Sequence, residues 1–171
     1  MFLKIIGSLL FIVTTSLIGL ACADRFQKRI SELRQLIDLI DKMKGHLKFR
    51  ITPTQQMIQE LSESSSFHKL TFLPQCAEKL KKEKNFPVVW KSCVLQKKNS
   101  LHLEQQDIDP ILSIGDTLGA SEAEVQISSL DLIESLLRSN LKEAEEEKRS
   151  KGKLYRNLGL LSGIAVSILV L

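Results

Sequence analysis

Residues 114–119 read IGDTLG, two glycines four positions apart around Asp116, in a stretch that otherwise has the residue pattern of a helix. As a phosphate-cradling loop the segment would point to an α/β nucleotide-binding fold. As a joint between helices it points to an all-α protein. Phosphate loops follow a strand and bring a lysine to the anion. Here the preceding DIDPILS reads as helix, and no lysine occurs between Ile108 and Leu141. Gly119 suits the position just past a helix end, where a left-handed backbone costs glycine little. Gly115, still helical, costs ~1 kcal/mol relative to alanine, which makes sense if another helix must approach its backbone closely. The segment is therefore expected to be a helix-to-helix corner with Asp116 at the joint.

Patterning on either side of the corner agrees. Ile30, Leu33, Ile37, Ile40 and Leu47 keep helical spacing from Arg25 to about Phe49. RITPTQ ends that helix, with Thr52 as an N-cap and Pro53 as the first residue of a second helix that stops in Ser64–Ser66. A third helix is expected over Phe67–Lys84, with Pro74 as a possible kink, and NFP at 85–87 caps a fourth that carries the lone tryptophan, Trp90. A fifth begins near Asp107 and uses Ile108, Ile111, Leu112 and Leu118. A sixth runs from Ser121 to about Lys151, with a capping box from Ser121 to Glu124 and an apolar face of Leu130, Ile133, Leu137 and Leu141. The fold class is all-α: a compact antiparallel bundle of about six helices flanked by N- and C-terminal transmembrane helices.

The flanks are apolar. Ile5–Ala23 is free of formal charge and at 1.5 Å per residue can cross a ~30 Å hydrocarbon layer. LGLLSGIAVSILVL at 158–171 is short for a span and gains length if Arg156 snorkels. Gly159 and Gly163 have the GxxxG spacing that lets membrane helices approach. Basic residues follow the first run (Arg25, Lys28, Arg29, Arg34) and precede the second (Lys148, Arg149, Lys151, Lys153, Arg156), which puts the middle in the cytoplasm. The expected domains are an N-terminal transmembrane segment at 1–23, a cytoplasmic helical domain at 24–157 and a C-terminal transmembrane segment at 158–171. The rival reading is an exported lipoprotein or secreted helical binder, because ACA at 21–23 mimics a cleavage site and GLAC loosely resembles a lipid-attachment signal.

Composition excludes more than it proposes. With 24 basic and 20 acidic residues the net charge is +4, too mild for a nucleic-acid binder, and membrane lipid is the more natural partner. Three cysteines without CxxC spacing indicate neither zinc nor a disulfide framework, although a Cys76–Cys93 bridge stays open beside the reading of both as buried thiols. His46, His68 and His102 are isolated, and no GxSxG elbow or GxxxxGK[ST] loop occurs. The reading is of a protein that is not an enzyme and has no cofactor, metal site or nucleic-acid partner, with self-association left open. The rival is a membrane enzyme whose triad forms only in three dimensions.

Taken in order, KIIGSLLFIV, RISELRQLIDLI, the TP opening of the second helix, VVWKSCV, GDTLGASEAEVQ and the hydrophobic tail resemble the stage III sporulation protein AB family over nearly the whole chain. The chain departs from the family pattern at His46 and Thr54. The resemblance implies the sporulation machinery of endospore formers. It also implies similarity to the cytoplasmic helical domain of the type II secretion platform protein, in which a glycine-acidic-x-x-glycine block recurs. It implies, further, a place in the mother-cell membrane within a channel complex joining mother cell and forespore. Expected partners are the other stage III channel proteins, including a secretion-type ATPase. The residues on which packing or interaction is expected to turn are Pro53, Trp90, Gly115, Asp116, Gly119, Gly159 and Gly163.

Overall fold

The chain's four prolines fix much of where its helices begin. The computed structural model describes residues 2–49, 52–119 and 122–152, with side chains from Asp24 to Ser150. Among these it holds six α-helices and no strand: α1 (Phe2–Phe49), α2 (Thr54–Glu63), α3 (Phe72–Leu80), α4 (Phe86–Lys97), α5 (Gln105–Thr117) and α6 (Ala123–Glu147). Short 3-10 turns cover Ser65–Phe67 and Lys98–Ser100, and a π-turn covers Lys148–Gly152.

Pro53 is the N-cap of α2 rather than its first residue, and its carbonyl accepts from the Met57 N–H at 3.0 Å. Thr52, expected as the cap, instead has its hydroxyl 3.5 Å from His46 Nδ1. The helix expected from Phe67 to Lys84 begins only at Phe72. Proline has no N–H and crowds the preceding turn, so Pro74 is accommodated in the first turn of a helix, where no donor is needed, and starts α3 instead of kinking it. Asn85 caps α4 by accepting from the Val88 N–H at 3.4 Å, with Pro87 in the first turn. The fifth helix starts at Gln105, ahead of the expected Asp107, because Asp107 is the third residue of a capping box. Its carboxylate accepts from the Glu104 N–H at 2.9 Å.

Pro110 lies inside α5, where it removes the donor that the Gln106 carbonyl would otherwise meet. The amide of Asn140 on α6 donates to that carbonyl at 2.8 Å. A break in one helix is thus repaired by a side chain of another, and the repair fixes their relative register.

The chain divides into two units, Ser31–Lys142 and the pair of segments Met1–Ile30 and Glu143–Leu171. In the first, the core is built from Leu33, Leu36, Leu39, Ile40 and Met43 of α1, Met57 and Ile58 of α2, Phe72, Leu73 and Cys76 of α3, Val89, Trp90, Cys93 and Val94 of α4, Ile108, Ile111 and Ile114 of α5, and Leu130, Ile133 and Leu137 of α6. Each large apolar side chain of this set contributes ~1.5–3 kcal/mol on burial. Leu112 and Leu141, expected on the buried stripes, are only half-buried. Cys76 and Cys93 are free thiols, and burial pushes the pKa of both up, which keeps them protonated and inert.

In the second unit the buried Arg29 guanidinium lies 3.0 Å from the Glu147 carboxylate, Lys28 lies 2.9 Å from Asp24, and Lys148 hydrogen-bonds Gln27. Among the described residues no helix is long and apolar enough to cross a membrane. The backbone of residues 2–23 is part of α1, while the side chains of the expected anchor there, and the whole of the expected anchor at 158–171 with Gly159 and Gly163, lie outside the described residues, as does the expected cap Ser121.

Candidate functional site

Four of the singled-out residues, Trp90, Gly115, Asp116 and Gly119, meet at one corner where α4 crosses α5. Gly115 is fully inside the helix, and a Cβ placed on it would stand 3.0 Å from Trp90 Cδ1 and 3.4 Å from both Trp90 Cβ and the Pro87 carbonyl. The missing side chain is what allows α4 to come this near. The indole is fully buried and held on three sides: Nε1 donates to the Ile111 carbonyl at 2.8 Å, Phe72 meets it edge-on at 5.3 Å between ring centres, and Phe86 lies tilted at 5.5 Å. Asp116, one residue on, points outward to Lys91 at 2.7 Å, with both side chains well exposed.

The corner then turns. Leu118 is buried and extended, and Gly119 takes φ +81°, a left-handed backbone that L side chains rarely adopt. The Gly119 N–H donates to the side chain of buried Gln126 at 3.1 Å, which holds the turn against the first turns of α6.

Beside the turn lies a groove of about 410 Å³ lined by Thr54, Gln55, Lys84, Asn85, Pro87 and Gly119, among others. Pro53 borders a separate, shallower groove of about 300 Å³ with Gln55, Gln56, Gln59 and Lys81. The lining of the larger groove contains no carboxylate, imidazole or thiol. It presents hydrogen-bonding groups, one ammonium and apolar walls, which suits holding another surface and offers no nucleophile with a base. Among the described residues no group of three or more histidine, cysteine or acidic side chains is placed to hold a metal ion.

Two charged clusters were invisible in the sequence. The buried carboxylate of Glu32 accepts from the His102 backbone N–H at 2.7 Å and meets His102 Nδ1 at 2.8 Å, so the loop before α5 is tied to α1. His102, isolated in sequence, has its partner seventy positions away. Lys44 joins Asp131, at 2.9 Å, and Glu134, which also binds Arg138 at 2.6 Å. Burial opposes the charge on Lys44, but the hydrogen bonds it donates to Asp131 and Glu134 outweigh it and raise its pKa. Burial likewise opposes charge on Glu134, and Lys44 and Arg138 outweigh it and lower that carboxyl.

The signs define a window. A lowered Glu134 stabilises the fold above the ordinary carboxyl value of 4.5 and loses that contribution as pH falls through its folded value. A raised Lys44 stabilises below the ordinary ammonium value of 10.5 and loses its contribution as pH rises through its own folded value. Lys44→Met should cost about 1 kcal/mol at neutral pH, after solvent screening at this partly open site. In paired urea titrations the gap from the parent chain should begin to narrow below pH 4.5. A gap that is constant from pH 3 to 7 would remove the ion pair as its cause.

A model of the family described as Stage III sporulation protein AB (spore_III_AB) matches residues 4–171. Stage III sporulation protein AB of Bacillus subtilis (strain 168) is 21% identical over 170 residues, covering 99% of each chain. A solved structure of Stage III sporulation protein AB (SpoIIIAB) shares the fold, with a TM-score of 0.63 and 18% identity over 72% of this chain and 98% of that one.

Proposed function

The chain belongs to the stage III sporulation protein AB family, and from that premise we propose that it is a membrane-anchored scaffold, without catalytic activity, of a sporulation-specific secretion-like channel between mother cell and forespore. The uncharged runs at 5–23 and 158–171 anchor it as two membrane spans in the mother-cell membrane, and the helical unit between them stands on the cytoplasmic side. There it receives a secretion-type ATPase and other channel subunits.

The observation that carries this reading is the corner groove. It is shaped by the ends of α2, α3, α4 and α5, and it offers a mixed polar and apolar surface with no reactive pair. Behind it the Trp90–Gly115 seam is fully packed, so a partner docking there meets a rigid wall and pays little ordering cost. Lys84 at the rim favours an acidic contact on that partner.

Topology tests the first half. Asn99 is exposed, and Asn99→Cys in intact cells should resist a membrane-impermeant maleimide until the cells are opened. Efficient labelling of intact cells would overturn the cytoplasmic placement and favour an exported binding protein. For the second half, crosslinking in sporulating cells followed by pull-down should recover channel subunits, with Lys84→Glu reducing the yield. Recovery of none would argue against the scaffold reading.

A further inference from the structure

The two helices that lead toward the ends of the chain are built differently. α1 is one unbroken α-helix from Phe2 to Phe49, so the uncharged run at 5–23 continues as a single rod into the residues that fill the core. α6 ceases to be α-helical after Glu147, and a π-turn with the sequence KRSKG covers Lys148–Gly152. A π-turn bonds each N–H to the fifth carbonyl back instead of the fourth. Such turns occur mostly singly and are frequent at functional sites.

Two further features sit inside the same turn. The Ser150 hydroxyl donates to the carbonyls of Glu146, at 3.0 Å, and Glu147, at 3.3 Å. A side chain thus competes for the acceptors at the end of α6, which is the local bonding that bends helices. Gly152 closes the turn without a Cβ to restrict its backbone. Serine, glycine and a π-turn are each recognised causes of a helix kink, and here they coincide.

The base of the turn is fixed. Arg29, whose side chain is 3% exposed, pairs with Glu147 at 3.0 Å, and Lys148 hydrogen-bonds Gln27. α6 is therefore fastened to α1 up to the residue at which the π-turn begins. A helix clamped at its last turn and irregular in the next has a pivot at a defined place, unlike an end that frays from no fixed point.

We infer that Lys148–Gly152 is a joint, at which the C-terminal segment changes its angle to α6 while the Arg29–Glu147 clamp keeps α6 on α1. Its use rests on the two-span reading above: the short uncharged run at 158–171 takes the tilt that the bilayer thickness demands without pulling on α6.

The test uses the full chain with Cys22→Ser, in which the remaining Cys76 and Cys93 are buried. Spin labels are placed on Lys42→Cys with Glu146→Cys, a pair that ends before the joint, or on Lys42→Cys with Asn157→Cys, a pair that spans it. Lys42 and Glu146 are both exposed. Double electron–electron resonance in detergent micelles should give a narrow distance distribution for the first pair and a broad one for the second. Ser150→Ala with Gly152→Ala favours an uninterrupted α-helix, and should narrow the second distribution roughly twofold while leaving the first unchanged. The unfolding midpoint of this variant should match the parent. Should it fall, Ser150→Ala alone, which removes one exposed hydroxyl, should still give a smaller narrowing. A second pair as narrow as the first in the parent chain would mean that nothing pivots at the turn. A breadth unmoved by the alanines would place its origin beyond Gly152, and two broad pairs would show that the clamp does not hold. Each of these results overturns the proposal. The distances are read whether or not 158–171 crosses a bilayer, so failure of the joint is separable from failure of the two-span reading, which the labelling of Asn99→Cys tests by itself.

Discussion

Gly115→Leu is expected to destabilise the helical unit by about 3 kcal/mol, net of the better helix propensity of leucine. A bare Cβ already stands 3.0 Å from Trp90 Cδ1, tighter than most real Cβ contacts, so the neighbour would have to give by a few tenths of an ångström, and leucine adds three further carbons along the same line. Neither neighbour can give way cheaply. The indole is pinned by its hydrogen bond to Ile111 and by two aromatic rings, and the Pro87 carbonyl belongs to the first turn of α4. For a chain of this size the loss corresponds to a fall in midpoint of roughly 6–12 °C. Circular dichroism of the full chain in detergent would measure it, and the emission of Trp90, the only tryptophan, would shift to the red as the seam opens. Asp116→Ala is the internal control. That carboxylate is 61% exposed and meets only the surface-lying Lys91, so its loss should stay within about 0.5 kcal/mol. Thermal unfolding unchanged in Gly115→Leu would refute close packing at this seam.

The contrast between these two neighbouring positions shows what a one-dimensional reading can carry. A glycine inside a helical pattern advertises its own cost, and a glycine two residues before a new apolar period advertises a turn; both signals are local, and the backbone at Gly115 and Gly119 has the matching geometry. The NFP cap of α4 was legible for the same reason, since cap and first turn sit within three residues. The start of α3 was not. The apolar spacing from Phe67 to Leu80 continues unbroken through Pro74, and only the geometry of the proline ring decides which side of it the helix must begin. The tethers were beyond reach altogether. Glu32 to His102, Lys44 to Glu134 and Asn140 to the Gln106 carbonyl join positions far apart in the chain, and neither member of any pair carries a periodic signature. The groove beside Gly119 belongs to the same class, because its lining comes from the ends of four helices and no one segment spells it.

Trp90→Ala should cost about 4 kcal/mol, the upper range for core truncations, because it removes the largest side chain of the core together with two ring contacts worth ~0.5–1.5 kcal/mol each. Trp90→Phe should cost less. It keeps most of the volume, and the Ile111 carbonyl left without the indole N–H still has the backbone partner of an α-helical position. The decisive measurement is the coupling of Trp90 to Gly115. In the parent chain Gly115→Ala should destabilise by about 1 kcal/mol, because contact with Trp90 Cδ1 outweighs the propensity gained. With Trp90→Ala in place, the nearest remaining atoms stand at 3.4 Å, the clash is gone, and the same Gly115→Ala change should stabilise by up to ~1 kcal/mol. The reversal of sign amounts to a coupling of about 2 kcal/mol, well above the few tenths expected of independent sites. Urea titrations of the four chains at one pH supply the cycle. An alanine at 115 that acts alike in both backgrounds would mean that the glycine is there for some reason other than the approach of Trp90.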